Sequence, residues 1–331
     1  VRLNPDVGQA LASLHARRVS HVFLVGCGGS LSVMMAGKYF LDRHAASLAS
    51  DAYNAEEFIG RDPRRLGPAA VVILCSQTGT TKETVRAARH ASARGAVTIG
   101  MTLDPKSPLA EAVDHVVGYQ ASYTTGAPID SACSNYGVLY MLLAGLLDQT
   151  DGSALLPPLL DSLAQLQPAI ERAHRRYAGL FEDFAPRFAD QQAIYTVASG
   201  AAYGAAYSFS ICVLMEMQWY DSQAIHANEF FHGPFEVVDR DANFVVMLGL
   251  DETRPLAERA RDFLLKYGNP DRILLMDAAE LDLSGMDARF KPYLVPLVLF
   301  DALWRFAYRL ADLRRHPMLE GRRYMKKLVN Y

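Results

Sequence analysis

The sequence predicts an α/β protein made of two parallel-sheet halves in tandem. Three observations predict it. Runs of five or six apolar residues recur without polar alternation, the mark of strands buried on both faces of a parallel sheet. Each run passes through a turn into a stretch of helical character. The order then repeats: Val22 and Ile194, Val72 and Val245, and Val97 and Ile273 lie 172, 173 and 176 residues apart. The halves differ in sequence, so what is duplicated is the architecture.

In chain order, residues 4–17 read as a short helical lead. His21-Val-Phe-Leu-Val25 is the first strand, running through Gly26-Cys-Gly-Gly-Ser30 into a helix that ends near Leu41. Ala70–Cys75 is the second, closed by Ser76-Gln-Thr-Gly-Thr-Thr81 and followed by a helix from Lys82 to about Arg94. Ala96–Thr102 and His115–Tyr119 complete a first half over residues 1–152. Leu155, Leu159, Leu160, Leu163 and Leu166 keep a helical period, so residues 153–189 read as a helical connection. The second half, 190–331, opens with the strand Ala193–Val197, the turn Ala198-Ser-Gly-Ala-Ala-Tyr203 and one long helix to about Trp219. Phe244–Leu248, Asp251-Glu-Thr with a helix to about Tyr267, and Arg272–Met276 follow; Tyr293–Val298 leads to a last apolar element.

A chain of 331 residues, half of them hydrophobic, can bury two full cores. Its formal charge of −3 argues against nucleic-acid and membrane-surface partners, which require a basic face. The cluster Arg314, Arg315, Arg322 and Arg323 therefore reads as a structural or ligand-facing tail. Cys27, Cys75, Cys133 and Cys212 stand far apart with no CxxC pair. They read as buried, reduced thiols, so disulfides and zinc are not expected and the compartment is reducing, the cytoplasm. No apolar run approaches the roughly 20 residues of a membrane span, and no signal-peptide pattern occurs.

Ligands of open α/β sheets bind beyond the carboxyl ends of the strands. Gly26-Cys-Gly-Gly-Ser30 opens a helix whose N–H groups favour an anion, and Ser76–Thr81 adds hydroxyls at a second helix start. No triphosphate-binding GxxxxGK[ST] is present. The dinucleotide pattern is incomplete, since Val33 stands where its third glycine belongs, although Asp51 supplies the acid. Helix capping is the simpler role for one such loop. Two at adjacent strand ends fit a phosphate monoester held by hydroxyls and amides, with no metal and no cofactor. In the second half, His226-Ala-Asn-Glu-Phe-Phe-His232-Gly-Pro-Phe-Glu236 sets His232 directly before a Gly-Pro break, hence on a short exposed turn. A surface or capping histidine is the plain alternative. The spacing of His226, Glu229 and His232 matches no zinc pattern.

Ser76-Gln-Thr-Gly-Thr-Thr-Lys-Glu-Thr84 resembles the SQSGxTxxT signature of sugar isomerase (SIS) domains, and Gly28-Gly-Ser30 stands where those domains carry their first phosphate-loop serine. Tandem SIS domains also account for the duplication. Glu229-Phe-Phe-His-Gly-Pro-Phe-Glu236 is similar to the isomerase segment of glucosamine-6-phosphate synthase. It is more similar to that of the fructosamine-6-phosphate deglycases, which act on fructoselysine, glucoselysine or fructose-asparagine 6-phosphates and end in an Arg-Arg-Tyr-Met-x-Lys tail, here Arg322–Lys327.

The resemblance implies a phosphate site of Ser30, Ser76, Thr78 and Thr81 with Gln77 alongside and the backbone of Gly28 and Gly29 against the substrate. It implies catalytic Glu216, sixteen residues before His232 as in the family, and Lys327 closing over the sugar, with Lys326 as the rival. The implied reaction enolises an N-substituted fructosamine 6-phosphate and hydrolyses the resulting Schiff base to a hexose 6-phosphate and free amine. A lone acid in the apolar run Val213–Trp219 suits the base, because burial raises a carboxyl pKa. A neutral-range imidazole suits ring opening and general-acid work. The family also implies a homodimer in which His232 serves the neighbouring subunit. A ketose–aldose phosphosugar isomerase and a non-catalytic phosphosugar sensor are the competing readings. Tyr123–Tyr136 is the stretch that would line the amine side.

Overall fold

The computed structural model describes residues 1–121, 130–323 and 327–328. Residues 123–129 of the Tyr123–Tyr136 stretch, and Tyr324, Met325 and Lys326 of the tail, lie outside the described residues. The chain forms two compact units, Val1–Gln167 with Gly285–Phe290, and Pro168–Ser284 with Lys291–Tyr331.

Unit 1 carries β1 (His21–Gly26), β2 (Ala49–Asn54), β3 (Ala70–Cys75), β4 (Val97–Thr102) and β5 (His115–Gly118). They form one parallel sheet in the order β2-β1-β3-β4-β5. Every residue of β1, β3 and β4 is buried, which is why these strands show no alternation of apolar and charged residues. Between them run α1 (Pro5–Leu14), α2 (Gly29–His44), α3 (Ala55–Arg61) and α4 (Lys82–Ala93), then α5 (Asn135–Asp151). Phe23, Val25, Phe58, Val72 and Leu74 form the core on one face of the sheet with the alanines of α4. On α2, Gly37 leaves room for α5, since a Cβ there would stand 2.8 Å from Leu139.

After α6 (Leu156–Leu163) and α7 (Leu166–Ala189) come β6 (Ala193–Ala198), β7 (Asp221–His226), β8 (Asn243–Leu248) and β9 (Ile273–Asp277). Their order is β7-β6-β8-β9, all parallel. This repeats β2-β1-β3-β4 strand for strand, so the tandem α/β architecture is as expected. α9 (Arg254–Tyr267) follows β8 and α10 (Lys291–Arg314) closes the unit; Tyr293–Val298 belongs to that helix.

Two expectations needed correction. The strands β2 and β7 do not stand out in the sequence: both are edge strands with polar, partly exposed residues, and only pairing with β1 or β6 defines them. The expected long helix to Trp219 is shorter and irregular, an α-helix α8 (Tyr203–Ser208) followed by a π-helix over Phe209–Met215. All four cysteines are free, but only Cys75 is fully buried. No described helix is long and apolar enough to cross a membrane.

Candidate active site

In unit 1, Gly26 of β1 is paired with Cys75 of β3, so the loops leaving these strands begin side by side. A Cβ on Gly26 would meet the Ser30 backbone at 2.9 Å, and Gly28 takes φ 55°; only glycine permits so tight a passage from strand to helix. The Ser30 N–H donates to the Cys27 carbonyl at 3.1 Å. The Ser30 hydroxyl lies against the Cys75 thiol, which burial pushes up to about 11, so this cysteine is inert.

The second loop is fixed through its backbone. Gly79 N–H donates to Ser76 O at 3.0 Å, Leu103 N–H to Gln77 O at 2.9 Å, and Leu109 N–H to Gly79 O at 3.0 Å. Gly79 takes φ 66°, and a Cβ there would collide with Ser107. Buried Ser76 shares a 2.9 Å hydrogen bond with Thr81, and Thr78 a 2.7 Å one with Thr80. Thr81 is the N-cap of α4, yet its hydroxyl makes no capping bond. The result is a hydroxyl-lined turn at a helix start that its own N-cap side chain leaves uncapped, an arrangement suited to a phosphate monoester. Gln77, Gly28 and Gly29 lie at the same sheet edge.

The matching loops of unit 2 are closed. Gly200, at φ 53°, leaves a space in which a Cβ would stand 2.2 Å from an Asp251 carboxylate oxygen. Asp251 is buried and accepts from Ala201 N–H at 3.3 Å, from Thr253 N–H at 2.9 Å and from the Thr253 hydroxyl. Arg254 braces this loop from behind with a bidentate bond to Asp277 at 2.8 and 2.9 Å. An internal carboxylate thus takes up N–H donors of this loop.

Glu216 follows the π-helix, its N–H donating to Ile211 O at 3.1 Å. Its side chain is half-buried and, among the described residues, has neither a hydrogen-bond nor an ion-pair partner. Burial alone therefore raises its pKa to about 7. A π-helical stretch often marks a functional position, but no sequence periodicity announces this one.

His232 ends the short 3-10 helix Glu229–His232, and Gly233 follows at φ 139°. The segment is anchored by its aromatics: Phe230, Phe231 and Phe235 each meet Phe263 of α9 edge-on, with ring centroids 5.6 to 5.8 Å apart. His232 and Glu236 are left exposed, as expected of a turn before Gly-Pro. His226 accepts from Asn228 N–H at 3.3 Å and packs edge-on against Tyr203. Among the described residues no His, Cys, Asp and Glu side chains gather as a metal site. Lys327 is exposed.

These placements bring the Ser30 and Ser76–Thr81 loops together but not Glu216 and His232 of one chain. Glu216 lies before the start of β7 and the His232 turn after its end; six residues of strand span about 16 Å. Sequence reasoning also missed the segment after α10. Gln218, fully buried, donates to His316 O at 3.1 Å, and His316 Nε2 donates to Met217 O at 2.9 Å. Only Arg314-Arg315-His316-Pro317, a basic helix end, hints at it.

Comparison with known proteins gives the family. The SIS-domain model matches residues 16–146. The fructosamine deglycase FrlB of Bacillus subtilis is 46% identical over 99% of this chain and 98% of its own length. The fructoselysine 6-phosphate deglycase of Escherichia coli is 28% identical over 99% and 92%. A solved Bacillus subtilis protein described as a candidate phosphosugar isomerase superposes with a TM-score of 0.94 at 46% identity, covering 99% of this chain and 98% of its own.

Two outcomes follow from the geometry. Ionising a carboxyl whose folded pKa lies near 7 costs stability that the protein has in full below the ordinary value of 4.5. Glu216→Gln should therefore raise the melting temperature at pH 8, the gain shrinking to nothing as pH falls to about 4.5; a pH-independent difference in thermal scans would contradict this. Asp251→Ala strands the buried N–H of Ala201 and the half-buried N–H of Thr253 and should lower the unfolding free energy by about 2–3 kcal/mol in urea titrations. The chain belongs to the SIS-domain family.

Proposed function

We propose that this protein is a deglycase that hydrolyses an N-substituted fructosamine 6-phosphate, an amino-acid conjugate of the sugar, to a hexose 6-phosphate and the free amine. The observation that carries the reading is full-length 46% identity to a fructosamine deglycase in a chain whose Glu216 is an unpaired carboxyl with a pKa of about 7. A base poised near neutrality can take and return a proton beside a carbonyl.

The substrate carries its amine on C1 and its ketone at C2. Ser30, Ser76, Thr78 and Thr81, with Gln77 and the backbone of Gly28 and Gly29, would hold the 6-phosphate. Glu216 would remove a C1 proton to give the enaminol and return it at C2, leaving a C1 Schiff base. Water adds at C1, the C–N bond breaks and the amine leaves protonated; substrate plus water equals hexose 6-phosphate plus amine. His232 would open the ring and donate a proton to the ring oxygen or the departing amine, and Lys327 would close over the sugar.

The strand-length separation of Glu216 and His232 supports a homodimer in which each His232 serves the partner's Glu216, because C1 and C2 are one bond apart. A phosphorylated, membrane-impermeant substrate and four free thiols fit a cytoplasmic enzyme.

Incubation with fructoselysine, glucoselysine and fructose-asparagine 6-phosphates should release glucose 6-phosphate or mannose 6-phosphate from at least one, measured by coupled assay. No release from any would reject the deglycase. Interconversion of fructose and glucose 6-phosphates without an amine would point to an isomerase. Because Glu216 must be ionised to act, kcat/KM should rise with pH through about 7, and Glu216→Gln should lower kcat by about 10³-fold or more. Mixing inactive Glu216→Gln and His232→Ala chains should restore activity toward one quarter of the wild-type level if the two groups act across subunits. No recovery in a verified mixed dimer would place both in one chain's site.

A further inference from the structure

The segment 314–322, between the end of α10 and the tail that carries Lys327, grips each of the four residues that follow Glu216. The carbonyl of Met217 accepts from His316 Nε2 at 2.9 Å and from the Gln218 amide at 3.2 Å. The carbonyl of Gln218 accepts from the Arg314 guanidinium. That guanidinium also lies 4.0 Å over the Tyr220 ring. Trp219 has the His316 ring at 4.1 Å between centroids and the Arg322 guanidinium 3.7 Å from its own centroid.

Gln218 is the pivot. It is fully buried, and its amide nitrogen donates to Met217 O, His316 O and the Met318 sulfur, the last two at 3.1 Å. Its Oε1 has no partner among the described residues, so the side chain is kept at a desolvation cost. Trp219 takes φ 57°, a left-handed conformation that a bulky residue adopts only when its surroundings impose it.

Local hydrogen bonding would not hold this turn alone. The π-helix ends at Met215, and the N–H groups of Met217 and Gln218 share the single Val213 carbonyl at 3.1 Å. We propose that Arg314, His316 and Gln218 are positioning residues that set the place and the solvent exposure of the Glu216 carboxyl, with Arg322 closing the assembly over Trp219. This rests on Glu216 being the base of the proposed reaction. A displacement of about 1 Å at a reacting group costs on the order of 100-fold in rate, so the strap acts on kcat. The contacts of this segment named above are all with residues 217–220, next to the base, so its expected effect falls on kcat rather than on KM.

The test compares His316→Leu and Gln218→Met, which remove the donors, with His316→Gln, which keeps an amide donor, and with Arg322→Ala, whose exposed side chain can be lost without threatening folding. Two readouts are taken on folded dimeric protein. In steady-state kinetics with fructoselysine 6-phosphate, the donor-deleting variants should lose ten-fold or more in kcat with KM within about two-fold of wild type. His316→Gln should recover most of that loss, and Arg322→Ala should lose two- to three-fold. In ¹³C NMR of glutamate-labelled protein, with the Glu216 signal assigned through Glu216→Gln, the Glu216 titration should fall from near 7 toward the ordinary carboxylate value when the strap is cut. Unchanged kcat and an unchanged titration in Arg322→Ala and either donor-deleting variant overturn the proposal, as does a loss confined to KM. If wild-type protein turns over no conjugate, the deglycase reading fails, while the titration still decides whether the strap governs Glu216.

Discussion

The in-register pairing of β1 with β3, and of β6 with β8, is the constraint on which the rest depends. Parallel pairing aligns the carboxyl ends of neighbouring strands, so two loops far apart in sequence leave the sheet together. In unit 1 this joins the glycine turn before α2 to the hydroxyl turn before α4. A single serine-rich turn would pass for a cap; two side by side suit an anion.

The same pairing in unit 2 shows that topology does not decide chemistry. Its two loops leave β6 and β8 in the same relation, yet Asp251 fills the space that Gly200 opens and takes the donors for itself. Duplication produced two equivalent edges, and a single carboxylate distinguishes them. Unit 2 carries the ionisable candidates instead: Glu216 before the start of β7, and the His232 turn, held by three phenylalanines around Phe263, after its end.

Glu216 illustrates how a carboxyl pKa is raised without a charged neighbour. Desolvation alone raises it, which requires only that its surroundings be apolar and that nothing donate to it. The cost is borne by the structure around it: a widened helical turn, a tryptophan at φ 57° and a buried glutamine with an unsatisfied oxygen. Such local departures from regular structure concentrate at functional sites, where surrounding contacts over-determine them.

The sequence alone determined the tandem α/β architecture, because β1, β3, β4 and β8 are buried on every residue and so are mostly apolar with no polar alternation. It also determined the candidate residues, since Ser76–Thr81 and Glu229–Glu236 are local motifs whose glycines and prolines dictate their turns. Other features were decided only by tertiary structure. The edge strands β2 and β7 exist through pairing rather than through pattern, the π-helix obeys no periodicity that residue types reveal, and Asp251 plugs a loop fifty residues before it. The strap at 314–322 meets the turn after Glu216 across about a hundred residues of chain. Contacts between residues so distant leave no trace in spacing or composition, because each side need only satisfy the other once unit 2 has folded.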